Sequence, residues 1–168
     1  MLRAVWALAA CLGTAAQPAR AELLARFETQ PAGWDGIRIG MSLVQLERRV
    51  GETLSVTPAS GTPVCSRFAS RADYEGYRVV MGFASAKPGA KLESLWVDFD
   101  GEEASAGAAD LEAALRRRLP GASELRNAAP PAGSGRPAAV YLLPGELPVV
   151  VRLVPHEGLL IALRSCLP

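Results

Sequence analysis

The segment at residues 36–51 decides the predicted fold, and it reads GIRIGMSLVQLERRVG. Ser42 can accept a hydrogen bond from the Gln45 amide while the Gln45 side chain bonds back to the Ser42 amide, which makes a capping box. Three apolar residues recur at the spacing of one helix face: Leu43, Leu46 and Val50. Because Gly51 can adopt the left-handed conformation that ends a helix, the segment predicts a helix over residues 42–50.

Three segments of strand character follow this helix, at residues 64–70, 77–83 and 92–99. The third segment alternates, with Leu95, Val97 and Phe99 on one side and Ser94, Trp96 and Asp98 on the other. We therefore expect an antiparallel sheet with one buried face and one largely polar face.

The second half of the chain repeats this order. Leucines spaced four residues apart predict a helix over residues 106–119, with acidic residues before its basic end. Three strands are predicted after it, at residues 138–143, 147–154 and 159–164, separated by turns at Pro144-Gly145 and at residues 155–158. Residues 127–137, rich in proline, glycine and serine, are typical of a flexible loop.

This order predicts a two-layer α+β fold built from tandem α-β-β-β units, with an antiparallel sheet packed under two helices. The first unit covers residues 36–103 and the second covers residues 104–168. We expect their sheets to join edge to edge into one larger sheet. Residues 22–35 form an N-terminal segment with too little pattern for an assignment.

Residues 1–21 are typical of a signal peptide. A short positive start precedes an apolar run of 13 residues, which is shorter than the roughly 20 that cross a bilayer as a helix. Ala19-Arg20-Ala21 has the small side chains that signal peptidase requires, so we expect cleavage after Ala21. The mature protein is then expected in the periplasm or secreted.

A second interpretation of the leader stays open. Leu8-Ala9-Ala10-Cys11 resembles the lipobox of bacterial lipoproteins, in which the cysteine becomes the lipidated N-terminus. Lipidation at Cys11 would make the protein an outer-membrane lipoprotein, and it is the one route by which we expect contact with a membrane.

The two cysteines outside the leader are Cys65 and Cys166. An even number of cysteines in an oxidising compartment predicts a disulfide, here one that closes a loop of about 100 residues. Two buried free thiols are the alternative. Cys-x-x-Cys spacing is absent, so a metal or redox site at these cysteines is not expected.

The helix start at Gly40-Met41-Ser42-Leu43-Val44-Gln45-Leu46, followed by Gly51, resembles the opening signature of the SmpA/OmlA (BamE-like) small envelope modules. The resemblance covers about residues 36–100. It implies a helix that leads into an antiparallel sheet and a role in the bacterial cell envelope. Duplicated helix-plus-sheet modules also occur in secreted inhibitors of β-lactamase, so this resemblance in shape leaves the function open.

The composition and the chemical motifs limit the function further. A net charge of +1 over 168 residues provides no strong basic field, so we expect no nucleic-acid partner.

His156, the one histidine, lies in a predicted turn, and the Gly-x-Ser-x-Gly motif of serine hydrolases is absent. The acidic run at residues 98–103 lacks the spacing of an EF-hand loop, and residues 116–118 are three arginines at a helix end. Trp34 is either a buried plug of the sheet or an exposed contact residue.

Three hypotheses follow. The first is an exported cell-envelope binding module without catalytic activity, which acts through protein–protein interaction with an envelope partner and uses no cofactor or metal. The second is a secreted enzyme inhibitor that inserts a loop, such as residues 127–137, into its target. The third is a small hydrolase that uses carboxylates such as Asp98, Asp100 and Glu102.

Overall fold

The computed structural model describes residues 24–99, 108–125, 139–154 and 157–166. In these ranges the helical elements are α1 at Leu43–Val50, α2 at Ala108–Arg118 and a 3-10 helix at Arg164–Cys166. The strands are β1 at Phe27–Thr29, β2 at Ala32–Trp34, β3 at Ile37–Arg38, β4 at Thr57–Pro58, β5 at Phe68–Tyr74, β6 at Tyr77–Phe83, β7 at Leu92–Asp98, β8 at Ser123–Glu124, β9 at Ala139–Leu143, β10 at Val149–Val154 and β11 at Gly158–Leu163. None of the helices in the described ranges is long and apolar enough to cross a membrane.

Helix α1 begins and ends where the sequence predicts. The Gln45 amide donates to Ser42 Oγ at 3.4 Å, and the Ser42 amide donates to Gln45 Oε1 at 2.8 Å, so the capping box is confirmed. Gly51 has a φ of 86°, and its amide donates to the Glu47 carbonyl at 2.8 Å. Glycine adopts this left-handed conformation without the steric cost that a Cβ imposes. The limits of α1 therefore follow from local sequence.

Eight strands form one antiparallel sheet in the order β4-β5-β6-β7-β11-β10-β9-β8. The two halves of the chain meet where β7 pairs with β11, with Leu95 opposite Ile161 and Trp96 opposite Leu160. The expectation that the two predicted sheets join edge to edge is confirmed. The outermost strands, β4 and β8, are two residues long and pair with only two residues each of β5 and β9.

One predicted strand is wrong in position. The sequence placed it at residues 64–70, whereas β5 spans Phe68–Tyr74. The reason is the turn that follows β5: Glu75 has a φ of 52° and Gly76 a φ of 82°, the two positive values of a type I′ hairpin turn. This turn places Tyr74 opposite Tyr77 and so fixes where β5 ends.

The predicted two-layer α+β fold, with a sheet packed under two helices, is wrong. Eleven strands dominate the described residues, and a second sheet, in the order β1-β2-β3, lies in the layer that also holds α1 and α2. This sheet forms because Asp35 and Gly36, with φ values of 47° and 79°, make another type I′ turn that places Trp34 opposite Ile37. The pattern of the N-terminal segment was too short to indicate these strands.

The core lies between the eight-stranded sheet and this mixed covering layer. The covering layer contributes four side chains with no exposed surface: Trp34, Ile37, Leu46 and Leu115. The sheet contributes alternate residues of its long strands, such as Val79, Met81, Leu95, Val97, Val151 and Ile161, which are also fully buried. Each such side chain contributes about 1.5–3 kcal/mol through removal of apolar surface from water.

The opposite face of the sheet was expected to be largely polar, and this expectation is wrong. It carries a second apolar cluster made of Val64, Ala69, Val80, Trp96, Val140, Val150, Val154, Leu160 and Ala162. Trp96, for example, is only 7% exposed. A Cβ at Gly158 would lie 2.5 Å from the Trp96 ring, so the indole packs directly over this glycine. The sheet is therefore apolar on both faces.

A disulfide joins Cys65 to Cys166, with the two Cα atoms 5.5 Å apart, so the predicted pairing is confirmed. Cys65 lies in the segment before β5 and Cys166 in the 3-10 helix after β11, rather than on neighbouring strands. Beside the bond, Ser66 Oγ lies 2.9 Å from Ser94 Oγ on β7. The disulfide therefore fixes the segment before β5 against the second face of the sheet.

The capping box makes a first prediction. Replacing Ser42 with alanine (Ser42→Ala) removes the acceptor of the Gln45 amide, so the free energy of unfolding should fall by about 1 kcal/mol. Urea unfolding followed by circular dichroism measures this change. Ser55→Ala, an exposed serine outside the helices, is the control and should leave the stability unchanged. Equal stability of the two variants would contradict the capping role.

The disulfide makes a second prediction. Cys166→Ser opens a bond that spans 101 positions in sequence, and the free energy of unfolding should fall by about 2–5 kcal/mol because the unfolded chain regains entropy. The neighbouring Ser165→Ala variant is the matched control. If reduction of the unmodified protein and Cys166→Ser both leave the urea midpoint unchanged, the bond does not contribute to stability.

Candidate binding cleft

Several residues that the sequence analysis singled out lie outside the described residues. These are Cys11, Asp100, Glu102, His156 and the loop at residues 127–137. Of the acidic run, Asp98 is described: it ends β7, and its Oδ2 lies 3.8 Å from Arg78 Nη1 on the neighbouring strand. Asp98 is therefore part of a surface ion pair on the sheet.

The arginines at the end of α2 are exposed, as expected for a solvated helix end. Arg116 donates from Nε to the Tyr141 hydroxyl at 2.9 Å, and its Nη2 lies 3.0 Å from carboxylate oxygens of Glu112 and Glu124. These contacts raise the Arg116 pKa, chiefly through the bond to Tyr141. Arg116 thus connects α2 to β8 and β9, which is a structural role.

Trp34 is fully buried, so its interpretation as a plug is confirmed and that as an exposed contact residue is wrong. Its ring meets the rings of Tyr74 and Tyr77 edge to face, with centroids 6.3 Å and 5.1 Å away. Arg26 lies 5.9 Å from the Trp34 ring and 3.3 Å from the Asp35 carboxylate. This cluster holds the three-stranded sheet against β5 and β6.

A cleft of about 420 Å³ opens at the other end of the three-stranded sheet. It lies between two hairpin tips, the β1–β2 turn and the β9–β10 turn. Its lining consists of Thr29, Gln30, Pro31, Ala32, Ile39, Leu143, Pro144, Gly145, Glu146, Leu147 and Val149. Most of these residues are apolar, and one of them, Glu146, is charged.

The floor of the cleft is part of the core. Ala32, Ile39, Leu143 and Val149 are all less than 9% exposed. Leu143 and Val149 pair across β9 and β10, and the Ile39 amide donates to the Ala32 carbonyl at 3.0 Å. Because both hairpins are anchored in packed strands, the cleft is part of the folded framework rather than a gap between loops.

The rim of the cleft is exposed and conformationally restricted. Residues 144–148, PGELP, are all exposed and contain two prolines. The carbonyl of Pro148 accepts a bond from the Arg164 amide at 2.8 Å, which fixes the end of this turn. Leu147 is 55% exposed, the most exposed large apolar side chain among the described residues.

The cleft borders the segment that begins α1. A Cβ built on Gly40 would lie 3.9 Å from Leu147 Cδ1, so the Leu147 side chain reaches the turn before Ser42. Gly40 has a φ of 89°, and its amide donates to the Leu92 carbonyl at 2.8 Å. Ile39 lines the cleft, and Gly40, where the helix-start motif begins, lies at its border.

Comparison of the chain with protein-family models, with curated protein sequences and with solved structures found no match. A single carboxylate is not the pair that glycoside hydrolysis uses. Within the described part of the chain, no cluster of three His, Cys, Asp or Glu side chains could hold a metal ion. The lining is suited to binding an apolar group.

The sequence predicts one of the two turns that form the cleft. It placed a turn at Pro144-Gly145 between two strands, and the structure confirms that turn. It gave no role to Gln30-Pro31, the opposite tip, because β1 and β2 are three residues long and lack a readable alternation. The Asp35-Gly36 pair after Trp34 was the available signal for strands in this region.

The Trp34 cluster makes a third prediction, on pH dependence. Burial raises the pKa of Tyr74 above its ordinary value of 10.0, and its hydroxyl donates to the Asp35 carbonyl at 3.2 Å. The hydroxyl is thus harder to ionise in the folded chain than in the unfolded chain. This difference in the Tyr74 pKa contributes to the free energy of unfolding. The contribution is fully present below pH 10 and is lost as the pH rises above that value.

The test compares Tyr74→Phe with the unmodified protein by urea unfolding between about pH 8 and pH 11. Above pH 10, the free energy of unfolding of the variant should fall less steeply with pH than that of the unmodified protein. Part of the fall should remain, because burial also raises the pKa of Tyr141. Ser42→Ala is the control, since it destabilises the fold without removing a tyrosine. An unchanged slope in Tyr74→Phe would contradict the assignment.

Proposed function

We propose that this protein is an exported, non-catalytic binding module of the bacterial cell envelope that binds another envelope protein through the cleft between the β1–β2 and β9–β10 turns. The observation that carries the proposal is the geometry of the cleft. Its floor is buried and apolar, and Leu147 is exposed at its rim. Binding sites are typically concave, largely apolar and pre-formed in this way.

The disulfide supports the location. Disulfides persist in oxidising compartments such as the periplasm and are rare in the cytosol. The Cys65–Cys166 bond is such a disulfide, and it supports the expectation of export drawn from residues 1–21. We therefore propose a periplasmic or secreted protein processed after Ala21, with an outer-membrane lipoprotein modified at Cys11 as the alternative.

The resemblance to the SmpA/OmlA modules supports the same role. Its signature residues start α1, which leads into the antiparallel strands β4 to β7. The inhibitor and hydrolase hypotheses stay predictions, because the residues on which they depend, the loop at 127–137 and most of the acidic run, lie outside the described residues. The cleft itself offers one carboxylate, Glu146.

Site-specific photo-crosslinking in a Gram-negative host tests the proposal. The full chain, with its own leader, carries a photoreactive phenylalanine analogue in place of Gln30, an exposed residue of the cleft. We expect a discrete adduct that disappears when Leu147→Asp is added to the same chain. Intact mass should show a chain that starts at Glu22 and is two hydrogen atoms lighter before reduction.

Two controls make the result specific. The photoreactive residue in place of Arg71, exposed on β5 and five strands away from β9, should give no such adduct. Val44→Asp changes another exposed apolar residue and should leave the Gln30 adduct intact. Adducts that persist in Leu147→Asp would place the binding surface elsewhere, and a cytoplasmic, reduced chain would contradict export.

A further inference from the structure

The lining of the cleft carries charge of one sign, which is negative. Glu146 is its one charged lining residue, and it lies on the exposed PGELP turn next to Leu147. Among the described residues, no arginine or lysine forms an ion pair with the Glu146 carboxylate. By contrast, Glu28 and Glu112 are each paired with an arginine. The cleft therefore combines an apolar floor with a negative charge at its mouth that pairs with no cation of the described residues.

The dimensions of the cleft limit what can enter. A volume of about 420 Å³ lies in the lower part of the range for small-ligand pockets. It suits a few side chains of an extended segment rather than a folded surface. The lining of the cleft is mostly apolar side chains, so side chains would carry recognition here.

We propose that the cleft recognises an extended peptide segment in which a bulky apolar side chain is followed by a lysine or arginine. The apolar side chain fills the space over Ile39 and Val149 and packs against Leu147. The basic side chain lies at the mouth, where its charge complements Glu146. This inference rests on the proposed function and specifies the chemistry of the partner at that same site.

Peptide titration followed by NMR tests this specificity. The probes are three hexapeptides with blocked ends, acetyl-Gly-Ala-Leu-X-Ala-Gly-amide, where X is lysine, glutamine or glutamate. The protein is the ¹⁵N-labelled form recovered from the envelope after export. We expect the lysine peptide to shift the amide signals of Ile39, Gly145 and Leu147, and to bind about two- to fivefold more tightly than the glutamine peptide. The glutamate peptide should bind most weakly.

Three variants separate the apolar and ionic contributions. Glu146→Gln should remove the preference for the lysine peptide, and Glu146→Lys should reverse it in favour of the glutamate peptide. Leu147→Ser should weaken all three peptides about fivefold, because each loses the same apolar contact. The controls are Glu52→Gln, which changes an exposed carboxylate after α1, and Val44→Ser, and both should bind like the unmodified protein.

The outcomes distinguish this inference from the proposed function. Equal binding of the three peptides, with shifts confined to the cleft, would overturn the charge preference and leave the cleft as a binding site. Binding that moves signals elsewhere, or no binding up to about 5 mM, would overturn the inference. In either case the crosslink from Gln30 and its loss in Leu147→Asp decide separately whether the cleft contacts an envelope protein. Raising the salt concentration should abolish the lysine preference but not the Leu147 effect.

Discussion

The pairing of β7 with β11 is the interaction on which the rest of the structure depends. These strands come from the two halves of the chain, and their backbone hydrogen bonds make one eight-stranded sheet out of two groups of strands. The pairing places Leu95 opposite Ile161 in the core. It also places the end of β11 beside Ser94 on β7, near the point where Cys166 bonds to Cys65. Residues of both halves therefore contribute to one core.

The covering layer explains why a cleft exists at all. A helix can cover only part of a wide sheet, and α1 and α2 share this task with the small β1-β2-β3 sheet. Trp34 anchors one end of that sheet between Tyr74 and Tyr77, while its other end, at Gln30, stops short of the β9–β10 turn. The cleft is the space between these two tips. Its position therefore follows from how the covering layer is anchored.

The proposed function joins two observations of different kinds. The disulfide is a bond of the kind that persists in oxidising compartments, and the cleft is concave and largely apolar. Neither identifies a partner by itself. Glu146 adds chemical direction, because an exposed carboxylate beside an apolar floor favours a ligand that is both apolar and cationic. The same turn exposes Leu147 at the rim of the cleft.

The sequence by itself determined the local elements. The capping box and Gly51 set the limits of α1, and most of the long strands and the disulfide followed from alternation and cysteine count. Sequence could not give the apolar second face around Trp96 or the cleft, because their residues are close in space but distant in the chain. It also could not give the three-stranded sheet, although that sheet is local in the chain. Two-residue turns and three-residue strands carry little periodicity, and their burial depends on neighbours that only the tertiary structure supplies.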